Sequence, residues 1–296
     1  MIVVTTPTGR IGAQVLTDLL DAPGAVPPIR VIARDPARLP ANIRERVEVV
    51  VGSHADPVVL KEACAGADRI FWLVPPTPGA ASVDGHFRAF TEPLRDVVGD
   101  DGVRRVVAVS TLGRGVAENA GQISASLAMD EAITAMDVHY RALCPPFLME
   151  NLLHQVEAIR RTGMFFLATT EDRILRTCAT RDIAATAVRL LLDDSWTGSA
   201  DVPLVGPDEL TPLGMAEVLS EVLGRPIGFR RTSSAEYKAT LIGFGASEAW
   251  ARGLADMVDS LDAQGYYGAD AASTPETAPT TFRRWCEEVL RPAVVA

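Results

Sequence analysis

The first twelve residues constrain this chain more than any other stretch. Ile2-Val3-Val4 is short, apolar and β-branched, the pattern of a strand buried on both faces. Thr5-Thr6-Pro7-Thr8-Gly9 follows as a turn, and from Arg10 onward Ile11, Val15 and Leu19 recur at helical spacing. The stretch predicts strand, glycine turn and helix in immediate succession. A helix that opens out of a tight turn presents unpaired N–H groups and partial positive charge, so it can hold an anion without a lysine. Gly9 allows an anion to approach the backbone closely, and Gly12 allows the helix to pack tightly on its strand. A full fingerprint of this kind has three glycines, and Thr6 stands at the place of the first. The competing reading is a plain βα unit with a glycine turn and no ligand.

The same rhythm continues. Residues 29–34, 47–52, 69–74, 104–111 and 139–143 read as strands, and 58–65, 86–98 and 123–136 as helices between them. Such alternation implies a doubly wound parallel sheet with right-handed crossovers. The strand over 69–74 is apolar throughout and leaves through Pro75-Pro76-Thr77-Pro78-Gly79, a stiff loop at the carboxyl edge where open α/β sheets bind ligands. His54 reads as an exposed loop residue with no ligand role, against the alternative that it stacks near an adenine.

Arg34 sits where the second strand should end, with Arg38 one turn on. At that place an acidic residue binds a free ribose 2′-OH, whereas arginine accommodates a 2′-phosphate. The pair therefore points to NADP(H) as the cofactor, against the alternative of two solvated surface arginines.

Beyond residue 150 the strict alternation is lost. Helices are expected over 147–162, 182–192, 213–223, 236–263 with a break at Gly243-Phe244-Gly245, and 281–290. Short strands are expected over 202–205 and 227–231, and a low-complexity linker over 271–279. The fold class is thus α/β, a Rossmann-like doubly wound parallel sheet with a smaller, helix-rich carboxyl-terminal substrate region. Residues 1–150 form the dinucleotide-binding domain, and 151–296 most of the substrate region, with some segments returning to the sheet.

A net charge of −10 argues against a general nucleic-acid binder. Cys64, Cys144, Cys178 and Cys286 are far apart without a CxxC pair, so no metal site or disulfide framework is expected. With no apolar run long enough for a bilayer and no tripartite leader ahead of the first strand, a cytoplasmic location is expected. The expected partner is a small-molecule substrate, with the chain a monomer or homodimer and no nucleic acid or membrane involved.

Several segments then carry a family likeness. They are Thr5-Thr6-Pro7-Thr8-Gly9-Arg10-Ile11-Gly12, Ala33-Arg34-Asp35-Pro36 and Gly102-Val103-Arg104-Arg105-Val106-Val107-Ala108-Val109-Ser110. Further on come Pro146-Phe147-Leu148-Met149-Glu150-Asn151, Thr180-Arg181-Asp182-Ile183-Ala184 and Leu223-Gly224-Arg225-Pro226-Ile227. In this order and spacing they resemble the NmrA-like group of atypical short-chain dehydrogenase/reductases over nearly the whole length. That group includes type-2 quinone oxidoreductases and ergot-alkaloid (festuclavine-type) reductases, and has T-G-A-T-G-x-x-G at the first segment. The resemblance implies NADP(H) along the strand edge. Thr6, Thr8, Gly9, Arg10, Ile11 and Gly12 would lie at the pyrophosphate, and Arg34 with Arg38 at the 2′-phosphate. Leu73, Val74, Pro75 and Ser110 would lie near the nicotinamide.

The departures bear on chemistry. Short-chain reductases usually carry Tyr-x-x-x-Lys on the helix before strand six, but 123–136 holds neither residue, and the two lysines, Lys61 and Lys238, are elsewhere. Ser126 and Leu127 stand near the turn where the group often keeps a lysine, and Cys144 stands in place of an arginine before proline. Hydride transfer to an already electron-poor acceptor, such as a quinone, enone or iminium, needs positioning more than a strong acid. Asp130 is the candidate acid and Ser110 the candidate hydrogen-bond donor. Their competing readings are a solvated helix charge beside Glu131 and a contact that fixes a loop or the cofactor. His86, Phe90, Met149 and Asn151 are candidates for the substrate pocket, with Phe87, Phe165 and Phe166 able to add aromatic surface unless they are simply core. The expectation is an NADPH-dependent reductase of a polarised small molecule, plausible in secondary metabolism. The alternatives are a non-catalytic NADP(H)-sensing regulator that binds a protein partner, or a non-redox isomerase or cyclase.

Overall fold

The computed structural model describes residues 1–99, 102–265, 267 and 272–296. The opening stretch folds as its pattern dictates, with β1 (Ile2–Val4) entirely buried and α1 (Arg10–Leu20) burying Ile11, Gly12, Val15, Leu16 and Leu19 on one face. Next come β2 (Ile29–Ala33), α2 (Ala41–Arg44), β3 (Glu48–Val51), α3 (Pro57–Cys64) and β4 (Arg69–Trp72). The outer strands and helices of this half are α4 (Val83–Thr91), β5 (Arg105–Val109), α5 (Gln122–Thr134) and β6 (His139–Cys144). The carboxyl-terminal half begins with β7 (Phe147–Leu148), α6 (Val156–Thr162), β8 (Met164–Leu167), β9 (Thr177–Cys178), α7 (Thr180–Leu192) and β10 (Ser199–Pro203). It ends with α8 (Pro212–Leu223), β11 (Gly228–Arg231), α9 (Ser234–Gly243), α10 (Glu248–Gln264), α11 (Phe282–Trp285) and α12 (Arg291–Val295).

Seven strands pair in the order β10-β6-β5-β4-β1-β2-β3, all parallel. The strand order reverses between β1 and β4, so the carboxyl ends of those two strands open a crevice where their crossovers diverge. One core lies on the face covered by α3, α4 and α5, with Trp72, Ile70, Val106 and Tyr140 fully enclosed. The other lies under α1 and α7, around Phe71, Val107 and Leu143. A third core, built from Met149, Phe165, Met215, Phe282 and Trp285, belongs to the carboxyl-terminal half.

Several expected elements shift for local reasons. The helix expected over 86–98 starts at Val83, because the Ser82 hydroxyl accepts the N–H of Gly85 and caps it. It tightens into a 3-10 turn at Glu92–Asp96, where Pro93 lacks the N–H that an α-helix needs. The helix expected over 147–162 divides into β7, a 3-10 segment at Met149–Gln155 and α6. Phe147 and Leu148 instead pair with Thr177 and Cys178 of β9. The buried Glu150 carboxylate accepts from Thr180 N and from Trp285 Nε1, both at 3.0 Å, which pins that turn. The strand expected over 202–205 lies at Ser199–Pro203 and extends the main sheet beside β6.

β8 and β9 were not expected from the sequence. The final helix carries a π turn at Cys286–Leu290. Ala271, the first residue of the expected linker, lies outside the described residues. The rest is a strap: Thr274 N donates to Val205 O at 2.8 Å, Thr277 Oγ1 to Pro203 O at 2.8 Å, and Ala278 is fully buried. Among the described residues, no helix is long and apolar enough to cross a membrane.

Candidate active site

At the switch point, Thr5 ties the two strand exits together. Its hydroxyl donates to Phe71 O and accepts from Leu73 N, both at 3.0 Å. The chain then turns at Thr6, which has φ 51°, the left-handed conformation that the missing first glycine would adopt without cost. Gly9 N closes the turn on Thr6 O at 3.0 Å. A Cβ on Gly12 would lie 2.2 Å from Thr6 O and 3.0 Å from Thr5 O, so only glycine lets α1 sit this close to the turn. No side chain caps α1. Its first N–H groups therefore keep their hydrogen-bonding capacity for a ligand. The Thr6 hydroxyl is buried and has no hydrogen-bond partner, although such groups are rarely left unpaired. An uncapped helix start, a close-packed glycine and an orphaned hydroxyl form a cradle suited to a pyrophosphate.

Around this turn Thr8 is half-buried, Gly9 and Arg10 are exposed, and Ile11 belongs to the core. Arg34 and Arg38 are both exposed just beyond β2, and among the described residues neither guanidinium makes a hydrogen bond or ion pair. Asp35 between them is occupied in accepting from Ala37 N at 3.0 Å.

Leu73, Val74 and Pro75 are half-buried along the β4 exit. Two histidines hold this segment from beneath. His86 Nε2 lies 2.8 Å from Pro75 O, and its ring packs edge-on to Phe90 and Trp250. His54 was expected to be exposed, yet it is only 4 % exposed, its Nε2 3.0 Å from Leu73 O and its ring edge-on to Trp72 and Phe90. The turn after β3 folds it under the β4 exit, and burial lowers its pKa to about 4.

The end of β5 carries a buried polar cluster. Ser110 Oγ donates to Asp130 Oδ2 at 2.5 Å, and Tyr140 OH donates to Asp130 Oδ1 at 2.5 Å. Arg114 NH2 donates to Asp130 Oδ2 at 2.6 Å, while Arg114 Nε donates to Asp201 Oδ2 at 2.7 Å. Asp130 has no exposed surface, which corrects its reading as a solvated helix charge. Burial raises its pKa from the ordinary carboxylate value, against the opposing pull of Ser110, Tyr140 and Arg114. Next to Ser110, the Thr111 hydroxyl is hydrogen-bonded to the Tyr267 hydroxyl.

The expected pocket residues do not converge. His86 and Phe90 belong to the layer under the β4 exit, and Phe90 is core. Met149 is fully enclosed in the carboxyl-terminal core, as is Phe165, so neither offers surface to a ligand here. The 3-10 segment turns Met149 inward and leaves Asn151 exposed. Sequence reasoning missed Thr5, Tyr140, Arg114 and Asp201. Thr5 carries the signal of a polar residue ending a buried strand. Tyr140 meets Asp130 from β6 and Arg114 from the loop after β5, while Asp201 reaches Arg114 from β10, whose register pairs it with Ala142.

A family model described as NAD(P)H-binding matches residues 7–194. The chain is 28 % identical over 264 residues to NAD(P)H azoreductase of Xenophilus azovorans, covering 88 % of this chain and 86 % of that protein. It is 31 % identical to (4-alkanoyl-5-oxo-2,5-dihydrofuran-3-yl)methyl phosphate reductase of Streptomyces griseus, covering 77 % of this chain and 76 % of that one. NADPH-dependent quinone oxidoreductase of Escherichia coli, solved in complex with NADPH, shares the fold with a TM-score of 0.78 at 20 % identity, covering 96 % of this chain and 97 % of that one. With the family match over residues 7–194 and reductases among its relatives, the chain belongs to the NAD(P)H-binding family and is an oxidoreductase that uses NAD(P)H.

Proposed function

We propose that the protein is an NADPH-dependent reductase of electron-poor conjugated small molecules, with quinones, enones, iminium ions and azo compounds as the acceptor class. The observation that carries this reading is the cradle of Thr6, Gly9 and Gly12 under the uncapped start of α1, with Arg34 and Arg38 free beyond β2. The α1 amides and Thr6 Oγ1 would hold the pyrophosphate. The two guanidinium groups would neutralise a 2′-phosphate, which favours NADPH over NADH. Leu73–Pro75 and Ser110 would flank the nicotinamide.

When bound, the cofactor supplies the hydride. The chain's part is to orient the two reactants, keep water from the reacting face and offer a hydroxyl at Ser110. Helix α5 carries neither tyrosine nor lysine. Lys61 lies on α3, and Lys238 on α9 is paired with Glu248 on α10. A strong carbonyl-protonating pair is therefore missing from the expected place. This suits acceptors that take a hydride unassisted, and the azoreductase and the (4-alkanoyl-5-oxo-2,5-dihydrofuran-3-yl)methyl phosphate reductase among its relatives support the same class.

Fluorescence titration of NADPH and NADH against the wild type and Arg34→Ala tests the cofactor assignment. The variant should lose NADPH affinity about tenfold or more and leave NADH affinity unchanged. Equal losses for both would overturn the 2′-phosphate role. An absorbance assay of NADPH oxidation against a quinone, an enone, an imine and an azo dye tests the activity. Tight NADPH binding with no turnover on any of them would refute the reductase reading and leave a cofactor-sensing role.

A further inference from the structure

The buried cluster beside Ser110 has a charge imbalance that a proton would relieve. Its one cation, Arg114, is divided between two carboxylates, with NH2 on Asp130 and Nε on Asp201. Asp201 and Arg114 are both more than a third exposed, so water can satisfy them. Asp130 is wholly enclosed. A buried carboxylate with only half a counter-ion is costly, and a proton is the cheapest way to neutralise it. The groups facing Asp130 are Ser110 at the end of β5, Tyr140 and Cys144 from β6, Arg114 from the loop after β5 and Asp201 from β10. Tyr140 and Cys144 are themselves held neutral by burial. Neither adds charge to the cluster.

We propose that Asp130 is the proton reservoir of the reduction, delivering its proton to the acceptor through Ser110, while Tyr140, Arg114 and Asp201 are positioning residues that hold the carboxyl group and set how readily it gives the proton up. This rests on the reading that Ser110 faces the acceptor. A quinone, enone or azo acceptor that takes a hydride is left as an anion with one site to protonate, whereas an iminium ion needs no proton. The O–H bond of Ser110 breaks and that proton goes to the acceptor. Ser110 Oγ takes the carboxyl proton of Asp130 along their 2.5 Å hydrogen bond. Asp130 is left as the carboxylate, whose charge Arg114 and Tyr140 stabilise until solvent on the Arg114–Asp201 side returns a proton. Overall, one hydride and one proton are consumed for each neutral acceptor reduced.

The arrangement also accounts for Ser110's polarity. With Asp130 ionised, the Ser110 proton is committed to the carboxylate, so the hydroxyl can only accept from a ligand. With Asp130 protonated, the carboxyl donates to Ser110 Oγ and Ser110 is free to donate its own proton to a ligand. Reduction needs the second state.

Infrared difference titration of the full chain without cofactor reads the carboxyl directly. A protonated C=O stretch should persist at neutral pH, vanish in Asp130→Asn, and titrate about one pH unit lower in Asp201→Asn, where Arg114 turns wholly to Asp130. Turnover on a benzoquinone should show a basic limb with the same midpoint and the same downward move in Asp201→Asn. In Asp130→Asn kcat should fall about 10- to 100-fold with the KM for NADPH unchanged. The absence of a neutral-pH carboxyl band, or a limb that ignores Asp201→Asn, overturns the reservoir, and the rim variant keeps that outcome readable even if Asp130→Asn folds poorly. Ser110→Ala separates the two layers. A slow Ser110→Ala beside a wild-type Asp130→Asn defeats the relay alone. An unimpaired Ser110→Ala that still binds NADPH defeats the placement of Ser110 at the acceptor.

Discussion

Alanine at Gly12 and alanine at Gly9 should fail in different ways, although only three residues separate them. At Gly12 the added Cβ lands 2.2 Å from Thr6 O, 2.8 Å from Thr6 C and 3.0 Å from Thr5 O. All three are backbone atoms, so no side chain can rotate to make room. Ordinary contact begins near 3.4 Å, so α1 must retreat by about an ångström from the turn, losing part of its packing over β1. Overpacking of this kind costs typically about 1–3 kcal/mol, offset by at most about 1 kcal/mol from replacing a helical glycine. A net loss of roughly 1–2 kcal/mol in urea unfolding is expected. The same retreat lengthens the amide contacts to an anion, each worth about 1.5–3 kcal/mol, so NADPH affinity should fall roughly 10- to 100-fold. At Gly9 the Cβ meets only Thr6 O at 3.4 Å, and φ of −84° suits any residue. Gly9→Ala should unfold like the wild type and bind NADPH more weakly, because its methyl group stands where the anion approaches. Urea melts and fluorescence titrations on the two variants check this. A Gly12→Ala variant of wild-type stability, or a Gly9→Ala variant of wild-type affinity, would refute the assignment of the two glycines to packing and to ligand approach.

Thr6→Val removes the orphaned hydroxyl at constant shape. Stability should hold or rise by about 1 kcal/mol while NADPH affinity falls, and unchanged affinity would show that Oγ1 does not meet the ligand. His54 titrates near 4 when folded and near 6.5 when unfolded, so only the unfolded chain takes up the proton between those values. Stability is therefore complete above about pH 6.5 and falls by about 1.4 kcal/mol per pH unit on acidification, to a total of roughly 3 kcal/mol near pH 4. Urea midpoints measured across that range should lose this slope in His54→Leu. Gly121 adopts φ 51°, and a Cβ there would lie 1.8 Å from Gly253 O on α10. Gly121→Ala should cost at least about 2 kcal/mol and raise hydrogen exchange along α10, whereas a neutral variant would mean that α5 and α10 are not packed as described.

Where local pattern and tertiary demand agree, the sequence is legible. β1, α1, β5, β6 and the paired helices α9 and α10 lie within a few residues of expectation, because each is fixed by its own apolar period and its own turn. The position of Arg34 and Arg38 just beyond β2 was readable for the same reason, since a strand end can be counted. The substrate candidates were not. Met149 lies in a run that looks helical, but two residues of it are taken by β9 and the buried Glu150 anchors the rest, turning Met149 into the core. His54 looks like any polar loop residue until Leu73 O and the rings of Trp72 and Phe90 enclose it.

The sequence by itself determined the parallel α/β sheet, its switch point and the glycine turn and arginines at the carboxyl edge of its first two strands, because periodicity, glycine positions and charge at a strand end are local properties. Only the tertiary structure decided the state of Asp130. Its partners come from residues 10 to 71 positions away, brought together by the register of β5, β6 and β10. A carboxylate's chemistry depends on what surrounds it, and burial and shared counter-ions are set by packing across the whole sheet.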